Sequence, residues 1–322
     1  MQFPDGKRFA FSILDDTDDA TLANVRPVYE ALRAHGFRTT KTVWAVDCPE
    51  GSPLFFAAET LQDGAYLEFV RELARDGFEI AFHGASMESS PRERTLAALE
   101  LLKREIGAYP VLHCNHGYNR DSLYWGAERF RTPWLRWIAR HAFGASWSGY
   151  EGAVEGSPYF WGDLCLQHFR YVRNFTFAEL DALSVNREMP YRLESTPWVP
   201  LWFSTADAAD AEEFKRRLTR QALARLEAEG GVCIVSTHLG KGFAREGRID
   251  PEIDALLGHL ATRPGWFVPV STILDHLRAG RSERTLGGLG LLRLELRFLR
   301  DRLRSQLAER RARARARPAR GR

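Results

Sequence analysis

Short apolar segments alternate with helix-periodic segments along most of the chain, and this alternation restricts the fold more than any other feature. The first β-like segment spans 8–14, and a helix pattern with apolar residues three or four apart follows from Leu22 to Leu32. Further strands are predicted at 39–46, 78–82, 110–112, 232–235 and 266–268, and further helices at 64–76, 91–106, 210–229, 251–262 and 272–277. This order predicts a parallel sheet covered by helices, either doubly wound or closed as a barrel. The aromatic-rich range 144–205 gives no clear assignment.

The composition, with 44% apolar and 27% charged residues, is that of an ordinary globular protein. Its 322 residues are enough for two domains or for one large α/β barrel. No run of 18 apolar residues occurs, so no membrane-spanning helix is predicted. The four cysteines form no CxxC pair, and the first residues lack the features of a secretory signal. Both observations favour a cytoplasmic protein with reduced thiols.

Positive charge is concentrated at the end of the chain. Residues 281–322 contain 14 arginines and 4 acidic residues, a net charge of +10, whereas the rest of the chain carries −7. Leucines recur every three or four residues, which predicts an amphipathic helix over 281–309 and an Arg-rich, disordered tail over 310–322. Such a segment suits peripheral contact with the inner face of a membrane, self-association, or packing on the acidic barrel. Nucleic acid is a less favoured partner, because no interleaved aromatic residues or recognised motif accompany the arginines.

Four predicted strands end in polar residues that can carry chemistry. These endings are 15–19, 83–86, 113–117 and 236–240, and together they supply acidic residues and four histidines. In parallel α/β folds the carboxyl ends of the strands meet on one face, where active sites form. Carboxylates and histidines gathered there suit a divalent metal together with a general base and a general acid.

Each of these residues also has a structural interpretation. Asp18 and Asp19 are predicted to lie at the N-cap and in the first turn of the following helix, where acidic residues are favoured. A single histidine such as His83 is more often a hydrogen-bonded structural residue than a ligand. The co-occurrence of four polar clusters at one end of four strands nevertheless favours a catalytic site.

The motifs resemble those of the polysaccharide deacetylase family, the NodB-homology domain of carbohydrate esterase family 4. The segment 11–16 is similar to that family's strand ending in two aspartates, and 77–83 is similar to its GhEI-x-x-H segment. The strand that ends at His238 resembles the last motif of the family. The resemblance covers about 8–280 and implies a distorted (β/α) barrel over 1–280.

The resemblance implies a metal-dependent hydrolase that cleaves an N-acyl amide group on a sugar or glycan conjugate. It makes Asp15 the general base, Asp16 and His83 metal ligands, and His238 the general acid that protonates the leaving amine. Zinc is the expected metal, with cobalt, nickel or iron as alternatives. A carbohydrate or sugar conjugate is the expected partner.

Two positions depart from the pattern of the family. The family's second histidine, four residues after the first, is replaced by Met87, whose thioether is a poor ligand for such metals. The family's R-x-P-aromatic-G segment is replaced by 113–117, in which His113 stands for the arginine and His116 for the aromatic residue. One hypothesis is that His116 or His113 replaces the lost ligand. The others are a degenerate, glycan-binding barrel and a metal-independent hydrolase of a small amide.

Substrate contacts are expected from two parts of the sequence. Asn115 lies between the two histidines of 113–117, and Trp161 and Asp163 lie in the aromatic-rich range. Indole rings pack well against the apolar faces of sugar rings, so Trp161 is predicted to form part of a sugar-stacking rim.

Overall fold

The computed structural model describes residues 2–55, 57–143, 148–279 and 284–316. Its strands are β1 (Phe9–Asp15), β2 (Thr40–Trp44), β3 (Glu79–Gly84), β4 (Leu112–His113), β5 (Tyr171–Phe177), β6 (Leu201–Asp207), β7 (Val232–Thr237), β8 (Ala244–Arg245), β9 (Arg248–Ile249) and β10 (Gly265–Phe267). Its α-helices are α1 (Leu22–Ala34), α2 (Gly64–Arg75), α3 (Arg92–Ile106), α4 (Pro133–Phe143), α5 (Gly162–His168), α6 (Ala182–Val185), α7 (Ala211–Arg217), α8 (Arg220–Glu229), α9 (Pro251–Ala261), α10 (Val270–Arg278) and α11 (Gly288–Ala316). Short 3-10 helices occupy Pro4–Gly6 and Gly126–Arg129.

In the described part of the chain, β1 to β7 are parallel and follow one another around a closed barrel. Closure comes from β1, which pairs with β2 on one side and with β7 on the other. The short strand β10 pairs with the first half of β1, and β8 and β9 form a separate antiparallel pair. Every residue of β1, β2 and β7 is buried, as expected for parallel strands with side chains packed on both faces. A barrel is therefore the correct one of the two arrangements that the sequence left open.

The first helix begins later than the acidic residues of its preceding loop suggested. Its N-cap is Thr21, whose N–H donates to Asn24 Oδ1 at 2.8 Å, and its first turn contains no acidic residue. The interpretation of Asp18 and Asp19 as helix-capping acids is therefore wrong. Both residues belong to the loop between β1 and α1, at the carboxyl end of the barrel.

The second half of the barrel shows two further differences from the sequence analysis. The helix predicted over 210–229 is divided into α7 and α8, because Thr219 accepts the Ala222 N–H and starts a new helix. The unassigned range 144–205 contains α5, β5, α6 and the start of β6. The barrel thus obtains two of its strands from the part of the sequence with the least regular pattern.

The C-terminal helix α11 packs against the barrel. Phe298 is completely buried, and its ring lies 4.5 Å from that of Phe175 and 5.8 Å from that of Phe130, between centroids. The buried Glu295 accepts hydrogen bonds from the backbone N–H groups of Arg131 and Thr132, just before α4 begins. The sequence left three alternatives for this helix, namely membrane contact, self-association and packing on the barrel. One face of the helix packs on the barrel.

The boundaries predicted for the C-terminal segment differ from those observed. The expected boundary after residue 280 lies outside the described residues. The helix continues to Ala316, through part of the tail that was predicted to be disordered. Alanine and arginine both have high helix propensity, which offsets the repulsion between the arginines. Residues 317–322, the rest of that predicted tail, lie outside the described residues. No described helix is long and apolar enough to cross a membrane.

Candidate active site at the carboxyl end of the barrel

Three histidines from three strand ends surround the carboxylate of Asp18. The Nε2 atoms of His83 and His238 each lie 3.4 Å from an Asp18 oxygen, and Nε2 of His116 lies 3.6 Å away. His83 lies on β3, His116 follows β4 and His238 follows β7. The barrel therefore brings together histidines that are far apart in the sequence.

Hydrogen bonds to the outer nitrogens orient two of these imidazoles. Nδ1 of His238 lies 2.7 Å from the Ala209 carbonyl oxygen, which can only accept, so Nδ1 carries a proton. Nδ1 of His116 lies 3.0 Å from Asn119 Oδ1, and the Asn119 amide group is oriented by its own donation to Ser86 O. In the neutral form both rings therefore direct the Nε2 lone pair at Asp18, as metal-binding histidines with such partners direct theirs at a metal.

Asp16 lies beside the three histidines. Nη1 of Arg173 donates to both carboxylate oxygens, at 2.8 and 2.6 Å, and also to Ser236 Oγ at 2.9 Å. The other nitrogen of His83, Nδ1, lies 3.8 Å from Asp16 Oδ1. Both side chains of this ion pair are buried, so the pair is fixed in place.

Charge on the histidines strongly affects Asp18. Burial alone would raise the pKa of Asp18, but contacts with His238 and His83 and the charges of His83 and His116 hold it well below its usual range. Burial lowers the pKa of His238, but the contact with Asp18 and the charges of Asp16 and Asp18 outweigh it, so that this pKa is raised. The centre thus favours an ionised Asp18.

Two buried atoms of the cluster have no hydrogen-bond partner among the residues that the structure describes, which tests whether a metal ion fits. These atoms are Asp18 Oδ1 and His83 Nδ1, and buried polar atoms of this kind are normally satisfied. As placed, no three His, Cys, Asp or Glu side chains of the described residues are arranged to hold an ion. The chemistry of the donors nevertheless fits one, because imidazole nitrogens and carboxylate oxygens are the ligands of zinc and related ions.

Close backbone contact between two loops places His238 beside Asp18. A Cβ atom on Gly240 would lie 2.7 Å from the carbonyl oxygen of Asp19, so only glycine permits this approach. Asp19 itself has a left-handed backbone, with φ of 59°, a conformation that aspartate tolerates better than most residues. Asn24 Nδ2 donates to the carbonyl oxygens of both Asp19 and Gly240, which links the two loops.

Asp15 is held away from the histidines. Its side chain is completely buried, and its Oδ2 accepts hydrogen bonds from Lys41 Nζ and the Tyr29 hydroxyl, both at 2.9 Å. Its Oδ1 accepts the backbone N–H of Leu239 at 2.9 Å. With three donors and no exposed surface, Asp15 is placed to hold the His238 loop. It is poorly placed for the water activation that the resemblance implied.

His113 is separated from the histidine cluster by its own hydrogen bonds. Nδ1 lies 3.0 Å from the Phe82 carbonyl oxygen and Nε2 lies 3.1 Å from Asn115 Oδ1. Burial lowers the pKa of His113 to about 3, against the raising effect of Asn115, so the ring is neutral and its one N–H donates to only one of these two acceptors. Asn115 also exchanges two hydrogen bonds with the backbone of Leu123 and is buried. Of the two replacement ligands considered, the structure therefore directs only His116 at the cluster.

The stacking rim predicted from Trp161 is not observed, and Asp163, predicted to contact substrate, is engaged elsewhere. Trp161 is 1% exposed, and its Nε1 donates to the carbonyl oxygen of Asp121 at 2.6 Å. Asp163 forms a two-point ion pair with Arg92. Both residues are occupied by structural contacts, so the interpretation of Trp161 as an exposed stacking surface is wrong. The aromatic ring that is exposed near the cluster is Tyr118, which is 81% exposed and whose ring lies 5.5 Å from that of His116.

Met87 does not lie on a helical turn that begins at His83. It is half-buried in a bend after β3, whereas the ring of His116 lies 5.7 Å from that of His83. The indole of Trp44 packs against both rings, at 4.7 and 5.1 Å between centroids. The space beside His83 is therefore filled by an imidazole from the next strand.

The sequence analysis missed Asp18, Lys41 and Arg173. Arg173 lies on β5, within the range that could not be assigned from the sequence. Lys41 gave no signal, because a lysine in a β-like segment is usually exposed. The sequence did contain a signal for Asp18. Thr21 and Asn24 form a capping pattern that places the start of α1 after Asp18, and therefore assigns Asp18 to the preceding loop.

The fold was compared with known proteins. Neither a family model nor a curated protein matches the sequence. Among solved structures, a putative polysaccharide deacetylase from Mycobacterium smegmatis matches with a TM-score of 0.50 and 16% identity, over 89% of this chain and 96% of that one. A probable polysaccharide deacetylase from Pseudomonas aeruginosa PAO1 matches with a TM-score of 0.50 and 15% identity, over 87% and 94% of the two chains. The predicted polysaccharide deacetylase fold is thus confirmed, at low sequence identity.

Proposed function

We propose that the protein is a metal-dependent, deacetylase-like hydrolase that cleaves an N-acyl amide group on a sugar or glycan conjugate. The observation that carries this proposal is the convergence of His83, His116 and His238 on Asp18, with Asp16 beside them. The fold, which is shared with polysaccharide deacetylases, supports it.

Asp16, Asp18, His83 and His116 are the residues that would hold the metal. Zinc suits these donors best, and cobalt, nickel and iron bind similar sets. A divalent ion at this position supplies Lewis acidity to the acyl carbonyl and to water. Asn119 and Arg173 orient His116 and Asp16 through the hydrogen bonds described above, so that two of the four ligands have a fixed partner.

His238 is the residue placed to move protons. Its Nδ1 proton is committed to Ala209 O, and its side chain is partly exposed, so Nε2 is the nitrogen left to face the centre. In the neutral ring, Nε2 takes a proton from the attacking water and then gives it to the leaving amine nitrogen. Asp15 positions this loop through the Leu239 N–H and does not itself exchange the proton.

The test is acetate release from N-acetylated sugars by protein reconstituted with zinc or cobalt. His238→Gln should retain metal and lose at least about 100-fold in turnover, because a general acid–base typically contributes 10²–10⁴-fold. Asp18→Asn should lose both metal and turnover. His276→Gln, whose ring contacts the backbone of Gln2 outside the cluster, is the control. Metal-loaded protein that releases no acyl group from any such sugar would refute the proposal.

A second proposal concerns the outer face of α11 and α4, which we name the leucine–tryptophan face. Its exposed apolar residues are Leu289, Leu296, Leu303, Leu307, Trp134 and Trp137. The two helices contact each other, and α11 also carries the exposed Arg293, Arg300 and Arg304. Leucine, tryptophan and arginine on one surface suit peripheral contact with an anionic membrane on the cytoplasmic side.

Adsorption to vesicles tests this second proposal. The wild type should bind vesicles with phosphatidylserine and not neutral ones, and Trp134→Ala with Trp137→Ala should weaken binding about tenfold or more. Tyr118→Ala removes an exposed ring elsewhere and should leave adsorption unchanged. Equal adsorption of all three proteins at low salt, where screening is weakest, would contradict a membrane role. Dimerisation that the double variant abolishes would assign the face to self-association instead.

A further inference from the structure

A buried arginine lies on the same face of the barrel as the histidine cluster. Arg129 is 6% exposed. Its guanidinium stacks on the ring of Trp125, with 3.2 Å from Cζ to the ring centroid, and lies 5.5 Å from that of Phe298. Stacking fixes the plane of the guanidinium and does not use its N–H groups.

This guanidinium lacks an anionic partner in the described part of the chain. Arg129 makes no ion pair or hydrogen bond to a described residue, and its buried Nε has no partner. Burial lowers the pKa of Arg129 strongly, and the charges of Arg302 and Arg173 lower it further, against smaller effects of Tyr150 and Asp207. A buried charge is costly unless it is paired and hydrogen-bonded, so this arrangement is suited to an anion supplied from outside.

The position of Arg129 connects it to the candidate active site. It ends the short 3-10 helix in the long loop after β4, the loop that also carries His116. Gly117 follows His116 directly, and its carbonyl oxygen accepts the hydroxyl of Tyr150 at 2.7 Å. Arg173, whose charge acts on Arg129, also binds Asp16. The guanidinium of Arg129 and the histidine cluster therefore belong to loops at the same end of the barrel.

The C-terminal helix contributes to the same region. Phe298, which lies near the guanidinium of Arg129, and Arg302, whose charge acts on it, are one helical turn apart on α11. Residues four apart lie on the same side of a helix. The helix therefore brings an apolar side chain and a second positive charge close to Arg129.

We propose that Arg129, together with Arg302, binds an anionic group of the substrate, a carboxylate or a phosphate. The substrate of the hydrolase would then be an acidic sugar or a sugar phosphate conjugate rather than a neutral glycan. This inference rests on the proposed function for the reaction, but the anion site itself requires no turnover. Arginine suits the role because its planar N–H edge matches both anions with two parallel hydrogen bonds.

Binding measurements by calorimetry on the full chain test this site without relying on catalysis. The probes are N-acetylglucosamine 1-phosphate, glucuronic acid and neutral N-acetylglucosamine. The wild type should bind at least one anionic sugar at least tenfold more tightly than the neutral sugar. The stronger of the two anionic probes identifies the group as phosphate or carboxylate.

Arg129→Met should abolish that preference, and Arg302→Met should reduce it. Arg120→Met is the matched control, because Arg120 lies in the same loop and stacks on Tyr159, but is exposed and paired with Glu151. Thermal unfolding should show the ligand-free Arg129→Met protein at least as stable as the wild type, since an unpaired buried charge is removed. If that variant fails to fold, Arg129→Gln and Arg302→Met provide the same comparison.

Two results would overturn the anion site. One is equal wild-type affinity for the anionic and neutral sugars, and the other is an unchanged preference in the Arg129 variants. Acetate release from neutral N-acetyl sugars together with either result would leave the proposed hydrolase intact. A preference for anionic sugars without any hydrolysis would leave the anion site intact and refute the hydrolase.

Discussion

Asp18 is the residue on which the candidate site is centred, and its sequence neighbours explain why it is difficult to recognise. It stands three residues after Asp15 in an acidic run, and any of these carboxylates could cap the next helix. Thr21 and Asn24 take that role instead. His83, His238 and Asp16 were predictable from motifs, because each directly follows or ends an apolar strand. Asp18 was not, since its role depends on where α1 begins.

Gly240→Ala tests whether the contact between the two loops positions His238. The new Cβ would lie 2.7 Å from the Asp19 carbonyl oxygen, so the loop that carries His238 must move away from Asp18. We expect zinc affinity or turnover to fall at least about tenfold, with a stability loss of roughly 1–3 kcal/mol. Gly64→Ala, at a position with open space, is the control in zinc titration and thermal unfolding. Wild-type behaviour of Gly240→Ala would show that the contact is dispensable.

Asp121 provides a test of pH dependence outside the cluster. Burial raises the pKa of Asp121 to about 6, against the lowering effect of the Ser90 N–H that its side chain accepts. The folded state therefore binds a proton more tightly than the unfolded state, whose pKa is near 3.8, so stability falls as pH rises from about 4 to about 6. The loss amounts to roughly 3 kcal/mol at most.

Asp121→Asn keeps an acceptor for Ser90 and removes the titration. Relative to the wild type, the variant should gain stability progressively between pH 4 and pH 6 and keep that gain at pH 7. Denaturant unfolding of both proteins at several pH values measures the difference. Parallel stability curves for the two proteins would contradict a raised pKa at this carboxyl group.

At the scale of elements, the strands and helices with a clear hydrophobic pattern could be predicted from the sequence. The elements in 144–205 could not, because their formation depends on tertiary contacts. The strands β1, β3 and β7 each contain a short apolar run, typical of buried parallel strands. The strand β5 is interrupted by Arg173 and Asn174, which are buried only because they meet polar partners inside the barrel. Sequence alone cannot distinguish such residues from exposed ones.

The contacts of Phe298 make α11 part of the hydrophobic core around the barrel. Phe298→Ala should destabilise the protein by about 3–5 kcal/mol, because it empties space between Phe130 and Phe175. Leu296→Ala, on the exposed side of the same helix, should cost much less. Chemical denaturation of the two variants gives the comparison. Removal of the helix should likewise destabilise the barrel, and a truncated protein as stable as the full chain would contradict this account.

For the whole molecule, the sequence predicted a barrel with its chemistry at the carboxyl ends of the strands. That prediction followed from the order of elements and from histidines at three separate strand ends. Which of His113 and His116 faces the centre could not be predicted, because the short strand β4 leaves the direction of the loop to its hydrogen bonds. Both ring nitrogens of His113 lie against Phe82 O and Asn115 Oδ1, which keeps this ring away from the centre.

The most direct test of the account is zinc titration of the metal-free wild type, His116→Ala, His113→Ala and Met87→His. Removal of one ligand should cost more than the 10–100-fold typical of a residue that only orients a ligand. We therefore predict tight binding by the wild type, a loss of at least about 100-fold in His116→Ala, and a smaller loss in His113→Ala. Tight wild-type binding that His116→Ala retains would contradict the assignment of His116. Negligible wild-type binding that Met87→His restores would show instead a degenerate site.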